Sequence, residues 1–282
     1  MALVQDRELL RKELDGARER GHVVGLVPTM GALHRGHASL IRRSATECGL
    51  TAVSIFVNPL QFGPEEDHSR YPRHLESDMA LATEAGADVV FAPEVGDLWP
   101  GGAPATDVRV AGLSEMLEGA SRPGHFTGVA TVVTTLLGLA GPCRAYFGEK
   151  DYQQLLVVRR LVADLALPAE VVGCATVREP DGLACSSRNQ YLSGPERAAA
   201  PVLHRALTAA AEAVRAGERN SERLRRRMGE MVAAEPLADL DYAEVVDATT
   251  VAPLAEVAGD ARLVIAARIG STRLIDNVGA GT

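Results

Sequence analysis

Short apolar runs rich in β-branched residues alternate with helical patterns over roughly the first 180 residues. The runs VVGLV (23–27), AVSIFV (52–57), DVVF (88–91) and AEVVGCATV (169–177) have the length and composition of buried strands. Another strand is expected at about 144–147. Helical patterns fall at roughly 37–48, 76–85, 128–140 and 152–166; in the last, Leu155, Leu156, Val158, Leu161, Val162 and Leu165 line one broad apolar face. Strands that alternate with helices call for an α/β fold with a doubly wound parallel sheet, whose ligands lie beyond the carboxyl ends of the strands.

The texture changes after Asp181-Gly182. Ser193 is a helix cap, with proline inside the first turn and Glu196 three residues on, and an alanine-rich helix is expected to run to about Arg215. A second helix at about 221–234 is followed by strand-like runs at 241–247 and 262–269, with RLIDNV near the end. Helices followed by strands indicate a smaller α+β domain, giving domains at 1–178 and 179–282. No repeat or low-complexity segment is evident.

Composition removes several function classes. A net charge of −8 argues against a general nucleic-acid or membrane binder, so an anionic ligand needs a local basic pocket. No apolar run approaches the roughly 20 residues of a membrane span, and the charged N-terminal stretch lacks the apolar segment of a signal peptide. Cys48, Cys143, Cys174 and Cys185 show no CxxC spacing, which fits reduced thiols in a cytoplasmic protein.

The stretch PTMGALHRGH (28–37) follows the first of these runs. Gly31 and Gly36 permit close backbone approach, and a helix that begins near Gly36 or His37 offers unpaired N–H groups and a positive dipole end. His34 or His37 alone reads most simply as a surface or core histidine. A metal site lacks a nearby Cys, Asp or third His. A phosphate site accounts for the glycines, the helix start and both imidazoles together. The four letters HxGH mark Rossmann-like nucleotidyl-transferring enzymes, class I aminoacyl-tRNA synthetases among them; neither GxGxxG nor GxxxxGKS occurs to suggest a dinucleotide or P-loop enzyme.

Three further stretches are less decisive alone. Asn58, Pro59 and Gln61 in NPLQF also suit an ordinary Asn–Pro turn. The polar stretch that follows, at 63–77, suits either a lid over a site or a plain connection. Gly148, Lys150 and Asp151 in FGEKDYQQ stand at a strand-to-helix transition where lysine can neutralise phosphate and aspartate can accept from ribose, with Gln154 one turn on; a simple acidic helix start is the alternative. Ser186, Ser187 and Arg188 in CSSRNQYLS suit phosphate oxygens or a serine-capped turn equally. RLRRR (223–227) reads as a solvated helix face.

Taken together, PTMGALHRGH, SIFVNPLQF, YPR, RPGHFTGV, YFGEKDYQQL, VREPDGLACSSRNQYL and ARIGSTRLIDN, in order over 23–277, resemble the pantothenate synthetase (pantoate–β-alanine ligase) family. The resemblance implies a Rossmann-like sheet with a C-terminal lid domain, and condensation of pantoate with β-alanine through a pantoyl adenylate. It further implies ATP and Mg²⁺ and a homodimer, while the charge and the apolar runs above leave no nucleic-acid or membrane partner expected. His34 and His37 would hydrogen-bond the triphosphate, His37 protonating the leaving group, while Lys150, Ser186, Ser187 and Arg188 hold the phosphates from the other side. Met30, Gly31, Gly148, Asp151, the backbone at Val177 and Cys185 would seat the nucleotide. Gln61, Gln154 and Asn58 would orient pantoate, Asp78 would help hold Mg²⁺, and Arg122 and His125 match family positions near the site. The stretch at 63–77 would exclude water.

Cys185 stands where the family commonly has methionine, which raises the expectation of oxidation sensitivity; Arg35 replaces a frequent acidic residue at a position expected to face solvent. The nearest rival is another HxGH nucleotidyltransferase acting on a small acid or phosphate ester. A non-catalytic nucleotide sensor would be expected to lose His34, His37 or Lys150, and all three are present.

Overall fold

In a computed structural model, which describes residues 1–64 and 66–281, the chain divides into two compact units. The first comprises Met1–Glu149 and Gln154–Ala175, the second Lys150–Gln153 and Thr176–Thr282.

In the first unit, β1 (Ala2–Val4), α1 (Arg7–Glu19), β2 (Val24–Thr29), α2 (Arg35–Glu47), β3 (Leu50–Ile55), α3 (Leu75–Ala85) and β4 (Val89–Phe91) lead to two single-turn helices, α4 (Val95–Leu98) and α5 (Glu118–Ser121). Then come α6 (His125–Ala140), β5 (Cys143–Gly148), α7 (Tyr152–Asp164), whose first two residues count with the second unit, and β6 (Ala169–Cys174). The strands form one parallel sheet in the order β1-β4-β3-β2-β5-β6.

The apolar runs are continuous because both faces of the sheet are covered. Val24 and Leu26 of β2, Ala52 of β3, Phe91 of β4 and Phe147 of β5 join one core with Leu10 and Leu14 of α1, Val133 and Leu137 of α6, and Leu155 and Leu161 of α7. Their neighbours Val27, Val53, Val90 and Tyr146 point the other way, to Ala38 and Ile41 of α2 and Ala82 and Ala85 of α3. This is the doubly wound sheet that the alternation calls for.

Besides the single-turn α4 and α5, two elements escape the sequence pattern. β1 is three residues long, too short to show a period. The charged stretch after it is α1, capped by Asp6, whose side chain accepts from Glu8 and Leu9 N–H at 2.8 and 2.9 Å; only Leu10, Leu14 and Ala17 are buried.

The second unit holds α8 (Gly194–Ala199), α9 (Val202–Arg215), α10 (Ser221–Ala233) and an antiparallel meander of β7 (Ala238–Asp247), β8 (Ala261–Ile269) and β9 (Thr272–Gly279). Leu203, Leu207 and Val214 of α9 and Leu224, Met228 and Val232 of α10 pack on Val245, Leu263, Ile265 and Leu274 of the sheet. Ser193 and Glu196 form the expected capping box. The single long helix expected there is instead two, because Pro201 has no N–H for the helical ladder and its ring crowds the preceding turn.

Candidate active site

The strand order of the parallel sheet reverses between β2 and β5, so the crevice beyond their carboxyl ends is the topological switch point. β2 leads directly into the turn that carries Met30, Gly31 and His34, and β5 ends at Gly148. Thr29 starts the turn: its Oγ1 donates to Ser54 O at 2.6 Å and accepts from Gly31 N–H at 3.1 Å. Gly31 has φ +82, and a Cβ there would lie 2.9 Å from Asp78 Oδ2. A Cβ on Gly148 would meet nothing within 4 Å, so this strand end opens onto space.

His34 is the N-cap of α2, its Nδ1 accepting from Gly36 N–H at 3.1 Å. His37 Nδ1 accepts from His34 N–H at 3.3 Å, closing a reciprocal capping box. The ring centroids are 4.1 Å apart. With both Nδ1 atoms acting as acceptors, each neutral ring carries its proton on Nε2. The helix start therefore presents two imidazole donors beside the positive end of a 13-residue helix.

Asp78, on α3, clasps the same turn. Its Oδ2 accepts from Ala32 N–H at 2.9 Å and its Oδ1 from Leu33 N–H at 2.7 Å. Burial raises its pKa, and the two backbone donors and His74 only partly offset that rise. Ala32 is held at φ +49, where an alanine is rarely found without such external support. Both carboxylate oxygens are thus engaged in shaping the loop. Among the described residues no group of three His, Cys, Asp or Glu side chains is placed to hold a metal ion.

Asn58 and Gln61 stand on the single turn after β3. Asn58 is 1 % exposed; its Nδ2 donates to Gln61 Oε1 and to Gly128 O, each at 3.0 Å, and its Oδ1 accepts from Leu60 N–H at 3.2 Å. Its amide is an internal clasp that orients Gln61, whose Nε2 reaches Met30 Sδ at 3.1 Å. Gly128 of α6 allows this approach, since a Cβ there would come within 2.2 Å of Leu60 O.

The Gln61 carbonyl is held in turn by His125 Nδ1 at 2.9 Å, while His125 Nε2 lies 3.1 Å from Arg122 Nη1. Burial, then the charge of Arg122, lowers the His125 pKa to about 4, so the ring is neutral. It donates from Nδ1 and accepts from Arg122. Arg122 also makes a two-pronged pair with Glu66, with both N···O distances 2.7 Å. Burial works against the Glu66 charge, but Arg122 outweighs it and leaves the carboxyl below its ordinary pKa. The polar stretch 63–77 is therefore tied down at Glu66 and again at Tyr71, which is 5 % exposed; Glu65 in that stretch lies outside the described residues. Gln154 is half-buried on α7.

The other expected site residues belong to the second unit. Lys150 Nζ lies 3.3 Å from Asp151 Oδ1. Val177 O accepts from Cys185 N–H at 2.9 Å, closing a small hairpin that turns at Gly182 (φ +93). Ser186 caps the turn Ser187–Tyr191, its Oγ accepting from Arg188 N–H at 3.3 Å. Cys185 is 5 % exposed, and its thiol donates to Glu179 Oε1 at 3.4 Å. It lacks the exposure that the expectation of oxidation sensitivity requires.

No described helix is long and apolar enough to cross a membrane. Residues 2–279 match the profile of the Pantoate-beta-alanine ligase family. The chain is 57% identical over 281 residues to the pantothenate synthetase of Rubrobacter xylanophilus, a match that covers 96% of this chain and 94% of the relative. It is 51% identical over 278 residues to that of Moorella thermoacetica, covering 99% and 98%. The crystal structure of pantothenate synthetase from Thermus thermophilus superposes with a TM-score of 0.95 at 51% identity, covering 100% of each chain. The pantoate-beta-alanine ligase of Francisella tularensis, complexed with beta-gamma ATP and beta-alanine, gives 0.81 at 33% identity, covering 100% and 98%.

Proposed function

The chain belongs to the pantoate-beta-alanine ligase family, and we propose that it joins pantoate to β-alanine at the expense of Mg-ATP. In the first step a pantoate carboxylate oxygen attacks the α-phosphorus, the bond to the bridging oxygen of the β-phosphate breaks, and pyrophosphate leaves. In the second the β-alanine amine attacks the acyl carbon, AMP departs, and the nitrogen gives up a proton as the amide forms.

This chemistry needs no nucleophile from the protein. It needs in-line placement and neutralisation of charge on the phosphates. The observation that carries the reading is the paired Nε2–H donors of His34 and His37 at the start of α2, fixed by the Nδ1 hydrogen bonds. Two neutral donors at a helix N-terminus suit an anion that gains charge as it leaves, and His37 is assigned to pyrophosphate. From the second unit, Lys150, Ser186, Ser187 and Arg188 are assigned to phosphate oxygens. Met30, Gly31, Gly148, Asp151, Val177 and Cys185 are assigned to the nucleotide; at Val177 the N–H is the backbone group concerned, because its carbonyl already accepts from Cys185. Gln61, oriented by Asn58, is assigned to pantoate together with Gln154.

Asp78 fits the metal poorly, since both its oxygens hold the Ala32–Leu33 backbone. Mg²⁺ accordingly enters as part of the nucleotide substrate. The ligands named for the Francisella structure support ATP and β-alanine as substrates. Identities above 50% along nearly the whole chain weigh against another HxGH nucleotidyltransferase. A cytoplasmic homodimer is proposed on the family likeness, and the lack of CxxC spacing among Cys48, Cys143, Cys174 and Cys185 fits a reducing compartment.

The test is to supply Mg-ATP with and without pantoate, then to add β-alanine. Pyrophosphate is expected only with pantoate, and pantothenate with AMP only when β-alanine is present too. Failure of pyrophosphate to appear with pantoate overturns the reading.

A further inference from the structure

We infer that Asn277, acting with Arg262 and Tyr152, is a positioning residue for Lys150. The inference rests on the reading of Lys150 as a phosphate-neutralising group. Lys150–Gln153, the end of the turn after β5 and the first two residues of α7, lies in sequence amid the first unit, yet it belongs to the second. Three contacts explain why. Asn277 Nδ2, on β9, donates to the Lys150 carbonyl at 2.8 Å. Arg262, on β8, places its guanidinium 3.9 Å from the centre of the Tyr152 ring. Tyr152 Oη donates to Ala248 O at 2.6 Å, on a turn that Asp247 secures through the N–H and hydroxyl groups of Thr249 and Thr250.

Asn277 links these contacts. It is 4 % exposed, and its Oδ1 accepts from Arg262 Nε at 2.8 Å while its Nδ2 serves Lys150. An apolar residue in that strand position would pack without any need for polar partners, whereas the amide here joins a guanidinium to a backbone carbonyl remote in sequence. The same strand also holds the segment leading to Ser186–Arg188: Asp276 receives Arg178 through two bonds of 2.6 and 2.9 Å, and Asn277 O accepts from Arg178 Nη2 at 3.3 Å. β9 therefore sets the backbone of Lys150 and the base of the 177–185 hairpin in one frame. A lysine has a flexible four-carbon stem, so the position of its Cα decides where its ammonium can be held against a phosphate.

A double-mutant cycle tests this. Asn277→Ala and Lys150→Ala are made singly and together, and two quantities are read: pantoate-dependent pyrophosphate release and binding of a non-hydrolysable ATP analogue. Asn277→Ala is expected to slow release by on the order of tenfold or more and to weaken analogue binding. In the Lys150→Ala background the added loss in either quantity is expected to stay below about twofold. A merely structural role would cost the same factor in both backgrounds, and that result, or no loss from Asn277→Ala alone, overturns the proposal. Tyr152→Phe keeps the ring under Arg262 and removes only the bond to Ala248; the same non-additivity at smaller size is expected, and this cycle decides if Asn277→Ala does not fold. Should the unaltered chain release no pyrophosphate with pantoate, the ligase reading fails, and this proposal with it.

Discussion

The backbone N–H of His34 donates to Nδ1 of His37 at 3.3 Å. Each imidazole of the pair thereby ends the helix as a cap while directing its other nitrogen elsewhere, so stability and chemistry can be separated by substitution. Asparagine is a good N-cap, and His34→Asn is expected to alter stability by less than about 1 kcal/mol. The same change removes the Nε2–H donor and is expected to slow pantoyl adenylate formation by roughly 10²-fold. Thermal melting and pyrophosphate release measure the two effects; unimpaired release would remove His34 from the phosphate contact.

Asp78 invites the opposite dissociation. Replacing it by alanine strands the Ala32 and Leu33 N–H groups, at an expected cost of about 3 kcal/mol. The concentration of Mg²⁺ for half-maximal activity in Asp78→Asn is expected to stay within about twofold of that of the unaltered chain, because ligand and loop clasp are different jobs. A large rise in that concentration with an unchanged melting temperature would return Asp78 to the metal.

His125 gives the fold a pH dependence of predictable sign. Its ordinary pKa of 6.5 falls to about 4 in the folded chain. Below pH 6.5 the unfolded chain takes up a proton that the folded chain refuses, so this contribution is complete above 6.5 and lost as the pH drops toward 4. Urea unfolding is expected to register a loss of up to about 3 kcal/mol from this group across that window. His204, also lowered, works in the same direction. His125→Asn is expected to flatten the profile by the His125 share; an identical slope in the variant would refute the assignment.

Two glycines separate packing from access. Gly128→Ala drives a methyl against Leu60 O and the Gln61 backbone, with an expected loss of about 2 kcal/mol and a raised KM for pantoate. Gly148→Ala meets nothing within 4 Å and is expected to melt normally while its affinity for ATP falls. Calorimetric titration with nucleotide checks the second, and normal ATP binding would place the nucleotide away from Gly148.

The middle of the sheet was legible because β2 and β3 are buried on both faces and are largely apolar. β1 was not, since three residues carry no period, and α1 was hidden by a narrow seam of Leu10, Leu14 and Ala17 amid charge. Pro201 was visible and its effect on the alanine-rich helix foreseeable. At the candidate site the glycines and histidines of one turn announced the helix start that the structure shows at Arg35. The internal clasps did not announce themselves: Asn58 to Gly128, Asp78 to Leu33 and Asn277 to Lys150 span 70, 45 and 127 residues. No local spacing encodes such pairs. Asn277 ends the stretch ARIGSTRLIDN, but only the fold reveals what it touches.

The pairing of β1 with β4, in which Ala2 faces Val89 and Val4 faces Phe91, has a consequence for the growing chain. The segment Ala2–Val4 has no place to dock until nearly ninety residues more have been made and β3 has accepted β4. The β7-β8-β9 meander, by contrast, pairs neighbours in sequence. Loop closure over short spans is fast and over long spans slow, so the meander closes on itself readily while Ala2–Val4 waits. Until that pairing forms, Val4, which is 7 % exposed in the fold, stays open to water.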